Sequence, residues 1–176
     1  MPIAGVTQPE LIPIGDSLRL RKFDGDYDLA LPWYQDRETV LLVDGKEDPY
    51  TPARIKRMYD YLGEHGELYW IEVWTENGFR PIGDVTFWRE DMPIVIGERA
   101  YRGKGIGRKV VAALCRRARE LGYERIYVDE IYDFNIGSRR CFESAGFAPY
   151  EKTEKGARYM LKLEEQVCEE NRSRGG

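Results

Sequence analysis

Arg102-Gly103-Lys104-Gly105-Ile106-Gly107 is the run in this chain whose residue types most directly suggest chemistry. Its glycines let the backbone approach a ligand and expose N–H groups. At a helix start, where about half a positive charge accumulates, such a turn suits a phosphate. Arg102, Lys104, Arg108 and Lys109 add formal charge around it. A plain turn carrying solvated basic residues meets the same pattern equally well. The spacing is Gly-x-Gly-x-Gly, so the Gly-x-Gly-x-x-Gly turn of dinucleotide folds is excluded. Lys104 is followed by Gly105 and not by Ser or Thr, which excludes the loop of nucleotide hydrolases.

The elements around this run must hold it. Upstream, 93–98 reads as a strand. Downstream, Ile106, Val110, Ala113, Leu114, Ala118 and Leu121 keep helical spacing, which predicts a helix over about 105–121 stopped by Gly122. A strand at 125–131, a short helix at 135–145 closed by Gly146 and a strand at 158–163 follow. Earlier, 18–23 alternates as a strand, and 24–39 reads as a short irregular helix broken near Pro32. Residues 40–50 read as a loop. Thr51-Pro52 caps a helix whose stripe is Ile55, Met58, Tyr59 and Leu62, ended by Gly63 and Gly66. Two strands, 67–75 and 80–88, flank the hairpin signal Asn77-Gly78.

The chain has 176 residues, of which 42% are hydrophobic and 12% aromatic, enough to bury one core and too apolar for general disorder. One domain over 1–176 is expected, with its core at about 17–163 and a frayed tail at 164–176. Its 27 basic and 31 acidic side chains leave a net charge of -4, which disfavours nucleic acid as a partner. No apolar run approaches the ~20 residues of a membrane span, and residues 1–16 lack a signal-peptide pattern. Cys115, Cys141 and Cys168 are scattered, which points to free thiols and a reducing, cytoplasmic setting. With a single histidine, His65, and no cysteine pair at ligand spacing, no metal site is expected.

A second motif lies past the 125–131 strand: Asn135-Ile136-Gly137-Ser138, then Arg139-Arg140-Cys141-Phe142-Glu143-Ser144-Ala145-Gly146-Phe147. Together the two segments resemble the GNAT superfamily of acetyl-CoA-dependent N-acetyltransferases. Arg102, Gly105 and Gly107 match the family's Arg/Gln-x-x-Gly-x-Gly loop. Asn135, Ser138, Glu143, Gly146 and Phe147 match its Asn-x-x-[Ser/Ala]…Glu-x-x-Gly-Phe segment. The likeness runs from about 18 to 163, with the specific motifs confined to 94–147. The 18–23 opening, the Trp33 region and 135–147 look most like the branch of ribosomal-protein and aminoglycoside 6′-N-acetyltransferases.

The resemblance implies an α/β fold: a mixed, mostly antiparallel sheet with a central V-shaped splay and helices on both faces. It also implies acetyl-CoA as co-substrate. The N–H groups of Gly103, Lys104, Gly105, Ile106, Gly107 and Arg108 would hold the pyrophosphate. The strand 93–98 would part from 125–131, and its unpaired N–H groups would take the pantetheine arm like an added strand. A backbone N–H near Ile96 or Gly97 would meet the thioester carbonyl, and Glu98 would end the strand at the gap. Asn135 would bond the arm, with Ser138 one helical turn on.

An amine nucleophile must lose a proton, because an alkylammonium titrates near ~10.4. Glu72, Asp84 and Glu98 are the leading candidate bases, with Glu90 and Asp91 read first as turn residues. Glu72 lies between Trp70 and Trp74 on one strand face, although plain outward alternation explains Glu72 and Asp84 as well. Many family members carry a tyrosine acid where this chain has Phe142, which cannot donate. Tyr132, Tyr101 or solvent would substitute, and Cys141 reads as a core thiol. Trp33, Tyr34, Trp70 and Trp74 are expected to line the acceptor cleft, beneath an acidic rim of Asp36, Glu38, Asp44, Glu47 and Asp48. The acceptor would be a small-molecule or peptide amine, and the chain a monomer or homodimer. The rival reading is an acyl-CoA sensor that has lost turnover.

Overall fold

Alternation builds the first sheet. In β2 (Leu18–Lys22), Leu18 and Leu20 point into the core while Arg19 and Arg21 point the other way. β2 pairs antiparallel with β1 (Leu11–Pro13) and with β3 (Glu67–Thr75). β3 continues through its hairpin into β4 (Gly78–Phe87), and β4 pairs with the short β5 (Ile94–Ile96), giving the order β1-β2-β3-β4-β5. A second sheet contains β6 (Arg125–Tyr132), β7 (Ala148–Lys152) and β8 (Gly156–Lys162) in the order β6-β8-β7. This computed structural model describes residues 1–164. Of the expected frayed tail, 165–176 lies outside the described residues.

Among the described residues, five α-helices cover these sheets: α1 (Leu31–Gln35), α2 (Arg37–Asp44), α3 (Pro52–His65), α4 (Ile106–Glu120) and α5 (Ile136–Ser144). The stripe Val110, Val111, Leu114 and Ala118 of α4 packs in one core with Tyr69 and Ile71 of β3 and with Ile126, Val128 and Leu161 of the second sheet. A second core lies on the opposite face of the first sheet, where Trp33, Tyr34, Val40, Ile55 and Tyr59 cover Leu68 and Trp70. This is the expected mixed α/β architecture with helices on both faces.

Several local expectations change. Pro32 does not break a helix but starts α1, where its missing N–H costs nothing. The break falls at Asp36, which is extended (ψ 122°) and caps α2 by accepting from the Thr39 N–H at 3.0 Å. Residues 40–44, expected as loop, therefore belong to the helix that starts at Arg37, closed by Gly45 in the left-handed region (φ 69°). Gly63 lies inside α3, and Gly66 alone ends it. β1 and β7 carry no strong alternation and were not expected.

Candidate active site

β5 and β6 share no ladder among the described residues. Two bonds join their approaches: the Tyr127 N–H donates to the Arg89 carbonyl at 2.9 Å, and the Asp129 N–H to Asp91 Oδ1 at 3.0 Å. Beyond them the strands part around a cleft of about 830 Å³, with Ile94, Ile96, Val128, Ile131 and Phe142 in its walls. On the β4 side, the Thr86 N–H donates to the Pro93 carbonyl and the Gly97 N–H to the Ile82 carbonyl, at 2.9 and 2.8 Å. Alternate residues of β5 thus face β4, so Ile94 and Ile96 turn their backbone groups to the gap. Of the two expected carbonyl donors, Ile96 is the one whose N–H has no backbone partner among the described residues. The Gly97 N–H is already taken, as is that of Glu98, which also donates to Ile82. Gly97 has a packing role instead, because a Cβ there would overlap the Trp33 indole.

The glycine run closes the cleft's outer end. Gly103 and Gly105 have φ of 69° and 79°, and nothing lies within 4 Å of where a Cβ would project from either. The N–H groups from Gly103 to Arg108 have no protein acceptor among the described residues. Those on either side do: Arg102 donates to the Arg99 carbonyl and Lys109 to that of Gly105. Six successive free donors at a helix start fit a diphosphate. Gly107 faces Cys141, whose Sγ would lie 2.8 Å from an added Cβ, so its smallness lets α4 meet α5.

The Arg102 side chain does not reach the phosphate cradle. It folds back, donating from Nε to the Ile96 carbonyl at 2.8 Å and from Nη2 to Thr39 Oγ1 at 2.7 Å. Lys104 is exposed beside the Tyr101 ring and lies outside the cleft lining. Asn135 caps α5, accepting from the Ser138 N–H at 3.1 Å, and its Nδ2 donates to the Leu42 carbonyl at 3.4 Å. Through these contacts α2 lies across the mouth of the wedge and supplies Thr39, Leu42 and Val43 to its wall. Reading 40–50 as a loop hid this wall. Asp36 and Thr39, spaced as a cap, were the available signal.

All three candidate bases are committed elsewhere. Glu72 is 2% exposed and is held by Arg19 Nε at 2.7 Å and Arg21 Nε at 2.6 Å, one on each oxygen. Asp84 is equally buried, with Oδ2 accepting from the Tyr34 and Tyr59 hydroxyls, both at 2.8 Å. Glu98 accepts from Trp33 Nε1 and Arg80 Nη2 at 3.0 and 3.2 Å and lies outside the cleft lining. The expected acceptor aromatics are corrected too. Trp33, Tyr34 and Trp70 are second-core residues, and Trp74 is 59% exposed, packed on Phe79 in the hairpin. In the expected acidic rim, Asp36 and Glu38 pair with Arg99, and Asp44 with Arg54.

The carboxylates that do line the cleft are Asp91, Asp129 and Glu130. In the sequence Asp91 reads as a turn residue, and neither Asp129 nor Glu130 is singled out. A bulge between Val128 and Ile131 in β6 breaks the alternation that would have placed Glu130. Glu130 makes no hydrogen bond or ion pair among the described residues. Tyr132 also lines the cleft, and burial, with Glu130 and Asp44 nearby, pushes its hydroxyl up. Burial likewise pushes the Cys141 thiol up, against Arg108, so it is held as a thiol. Among the described residues no group of three metal-binding side chains occurs, and no helix is long and apolar enough to cross a membrane.

Burial pushes Asp84 up to about 6, against the two tyrosine hydroxyls that pull it down. Its folded value exceeds the unfolded one near 4, so between those values the native state holds the extra proton. Stability from this group therefore falls as pH rises through about 4 to 6, by about 3 kcal/mol in all. Asp84→Asn, which keeps an acceptor for Tyr34 and Tyr59, is expected to gain stability over the parent at pH 7.5 relative to pH 4.5. Urea unfolding of both proteins at the two pH values measures this, and an unchanged difference refutes it.

The acetyltransferase (GNAT) domain family matches residues 17–148. An uncharacterised protein of Methanocaldococcus jannaschii is 29% identical over 140 residues, covering 76% of this chain. The matched part is 28% of that protein's length, so the chain spans under a third of it. A crystal structure of a domain from the same organism superposes with a TM-score of 0.74 at 25% identity, over 84% of this chain and all of that one. The aminoglycoside acetyltransferase AAC(6')-Ib, solved with coenzyme A, gives a TM-score of 0.63 at 20% identity over 83% of this chain and 95% of that one. With three quarters of its length matched by one family and the wedge and glycine turn in place, the chain belongs to the GNAT acetyltransferases.

Proposed function

We propose that this chain transfers an acetyl group from acetyl-CoA to a primary amine by direct attack in a ternary complex. The observation that carries the reading is the row of six N–H groups, Gly103 to Arg108, free among the described residues and lying at the outer end of an unzipped wedge. Acetyl-CoA supplies an activated thioester carbonyl. The N–H row holds its diphosphate, and the gap-facing backbone groups of Ile94 and Ile96 hold the arm. The Ile96 N–H is the donor for the carbonyl oxygen, where charge grows during attack. Asn135 and Ser138 border the arm from the β6 side.

Glu130 presents a free carboxylate to the cleft and takes the amine's proton, directly or through water. Tyr132, kept protonated by its surroundings, gives its proton to the thiolate released as the C–S bond breaks, in place of the tyrosine that Phe142 replaces. Cleft-lining carboxylates favour a cationic acceptor, such as an aminoglycoside or a peptide N-terminus. The scattered cysteines favour a cytoplasmic setting.

Calorimetry with acetyl-CoA, followed by thiol release over a panel of amines, tests this. We expect binding and turnover, with Glu130→Gln lowering turnover at saturating acetyl-CoA. No binding at high micromolar acetyl-CoA ends the reading. Binding with no turnover on any amine transfers the protein to the sensor class, which the buried Phe142 favours.

A further inference from the structure

A side chain stands at the point where the two sheets separate. Trp88 and Asp91 close a tight turn ahead of β5, with the Trp88 N–H donating to the Asp91 carbonyl at 3.2 Å. In a continued ladder, the Asp129 N–H would follow Tyr127 and seek a main-chain carbonyl two residues past Arg89. That residue is Asp91, and its carbonyl is committed to Trp88. The Asp91 carboxylate takes the bond instead, with Oδ1 accepting from the Asp129 N–H at 3.0 Å and from its neighbour Met92 N–H at 2.8 Å. A side-chain oxygen stands farther from its own backbone than a carbonyl does, so the strands are already apart at this rung. The carbonyl two residues on, that of Pro93, accepts from Thr86 of β4, and among the described residues no further rung forms.

We propose that Asp91 is the positioning residue that fixes where β5 and β6 part, and so the width of the slot that receives the thioester arm. The inference rests on the reading of the wedge as the acetyl-CoA site. Asp91 acts through the Asp129 and Met92 amides and so on the placing of the gap-facing Ile94 and Ile96. The phosphate cradle, built from residues 103–108, does not depend on it.

The two halves of the ligand site can therefore be tested separately, by calorimetry with acetyl-CoA and with adenosine diphosphate, which has the diphosphate but no arm. Asp91→Ala is expected to weaken acetyl-CoA about tenfold, as two charge-assisted bonds are lost, and to leave adenosine diphosphate unchanged. Asp91→Asn keeps the accepting oxygen and is expected to restore acetyl-CoA affinity. Equal weakening of both ligands, no weakening of either, or no rescue by asparagine overturns the proposal. If Asp91→Ala does not fold, hydrogen exchange on the unaltered protein decides. The Asp129 amide must be as protected as that of Tyr127, and rapid exchange there overturns the assignment. Failure of the unaltered protein to bind acetyl-CoA refutes the underlying reading instead, so the two failures are distinguishable.

Discussion

Gly105→Val is expected to abolish measurable acetyl-CoA binding while leaving the protein folded. Gly105 has φ of 79° in open space, so no protein atom is displaced by a new side chain. The cost to the fold is the left-handed conformation, about 1–2 kcal/mol for an L-residue and more for a branched one. The cost to binding is larger. The valine methyl groups would project into the space over the free N–H row, where a diphosphate would lie. Loss of two or three charge-assisted hydrogen bonds lowers affinity by at least ~100-fold. Calorimetry with acetyl-CoA, beside a thermal melt of the same sample, separates the two effects. Binding retained within a few-fold by the folded variant would show that the cradle lies elsewhere.

Glu72→Ala is the second large effect, and it is expected in stability and not in catalysis. The carboxylate is buried and shared by Arg19 and Arg21, so its removal leaves the Arg19 guanidinium without an ion-pair partner and Arg21 with Asp24 alone. Breaking such a pair costs about 3–5 kcal/mol. Both arginine side chains keep over a quarter of their surface in water, which places the loss toward the lower end. Turnover per folded molecule should stay within about twofold, whereas loss of a general base costs about 10²–10⁴. Denaturant unfolding and active-site-normalised kinetics report the two quantities. A fall in turnover of that larger size, with unfolding unchanged, would restore Glu72 to the chemistry.

Backbone features were readable from the sequence, and side-chain commitments were not. Glycines at 103, 105 and 107, followed by a 3.6-residue apolar stripe, specify a turn and a helix whatever surrounds them. The N-cap Thr51 is equally local and serves as such, whereas the capping by Asn135 emerges only in the structure. Glu72 is different. Alternation places it correctly on the Trp70 face, but its two partners are on β2, more than fifty residues earlier, and only pairing register brings them there. Asp84 likewise meets Tyr34 and Tyr59 only after α1 and α3 have packed on the sheet. Trp33 and Trp70 look like cleft aromatics in sequence because a core and a cleft demand the same residue types. Glu130 was hidden by the bulge in β6. Gly156 permits it, since a Cβ there would overlap the Ile131 carbonyl, yet a glycine at a strand start carries no such message by itself.

The helix that crosses the wedge mouth has a mechanical consequence. Two sheets without a common ladder could pivot about their narrow end. α2 prevents this by gripping one jaw through Thr39 and Arg102 and the other through Leu42 and Asn135. It works as a brace, so the spacing of the jaws is preset before any ligand arrives. Little reorganisation then opposes association, which is the condition under which a modest number of contacts yields useful affinity.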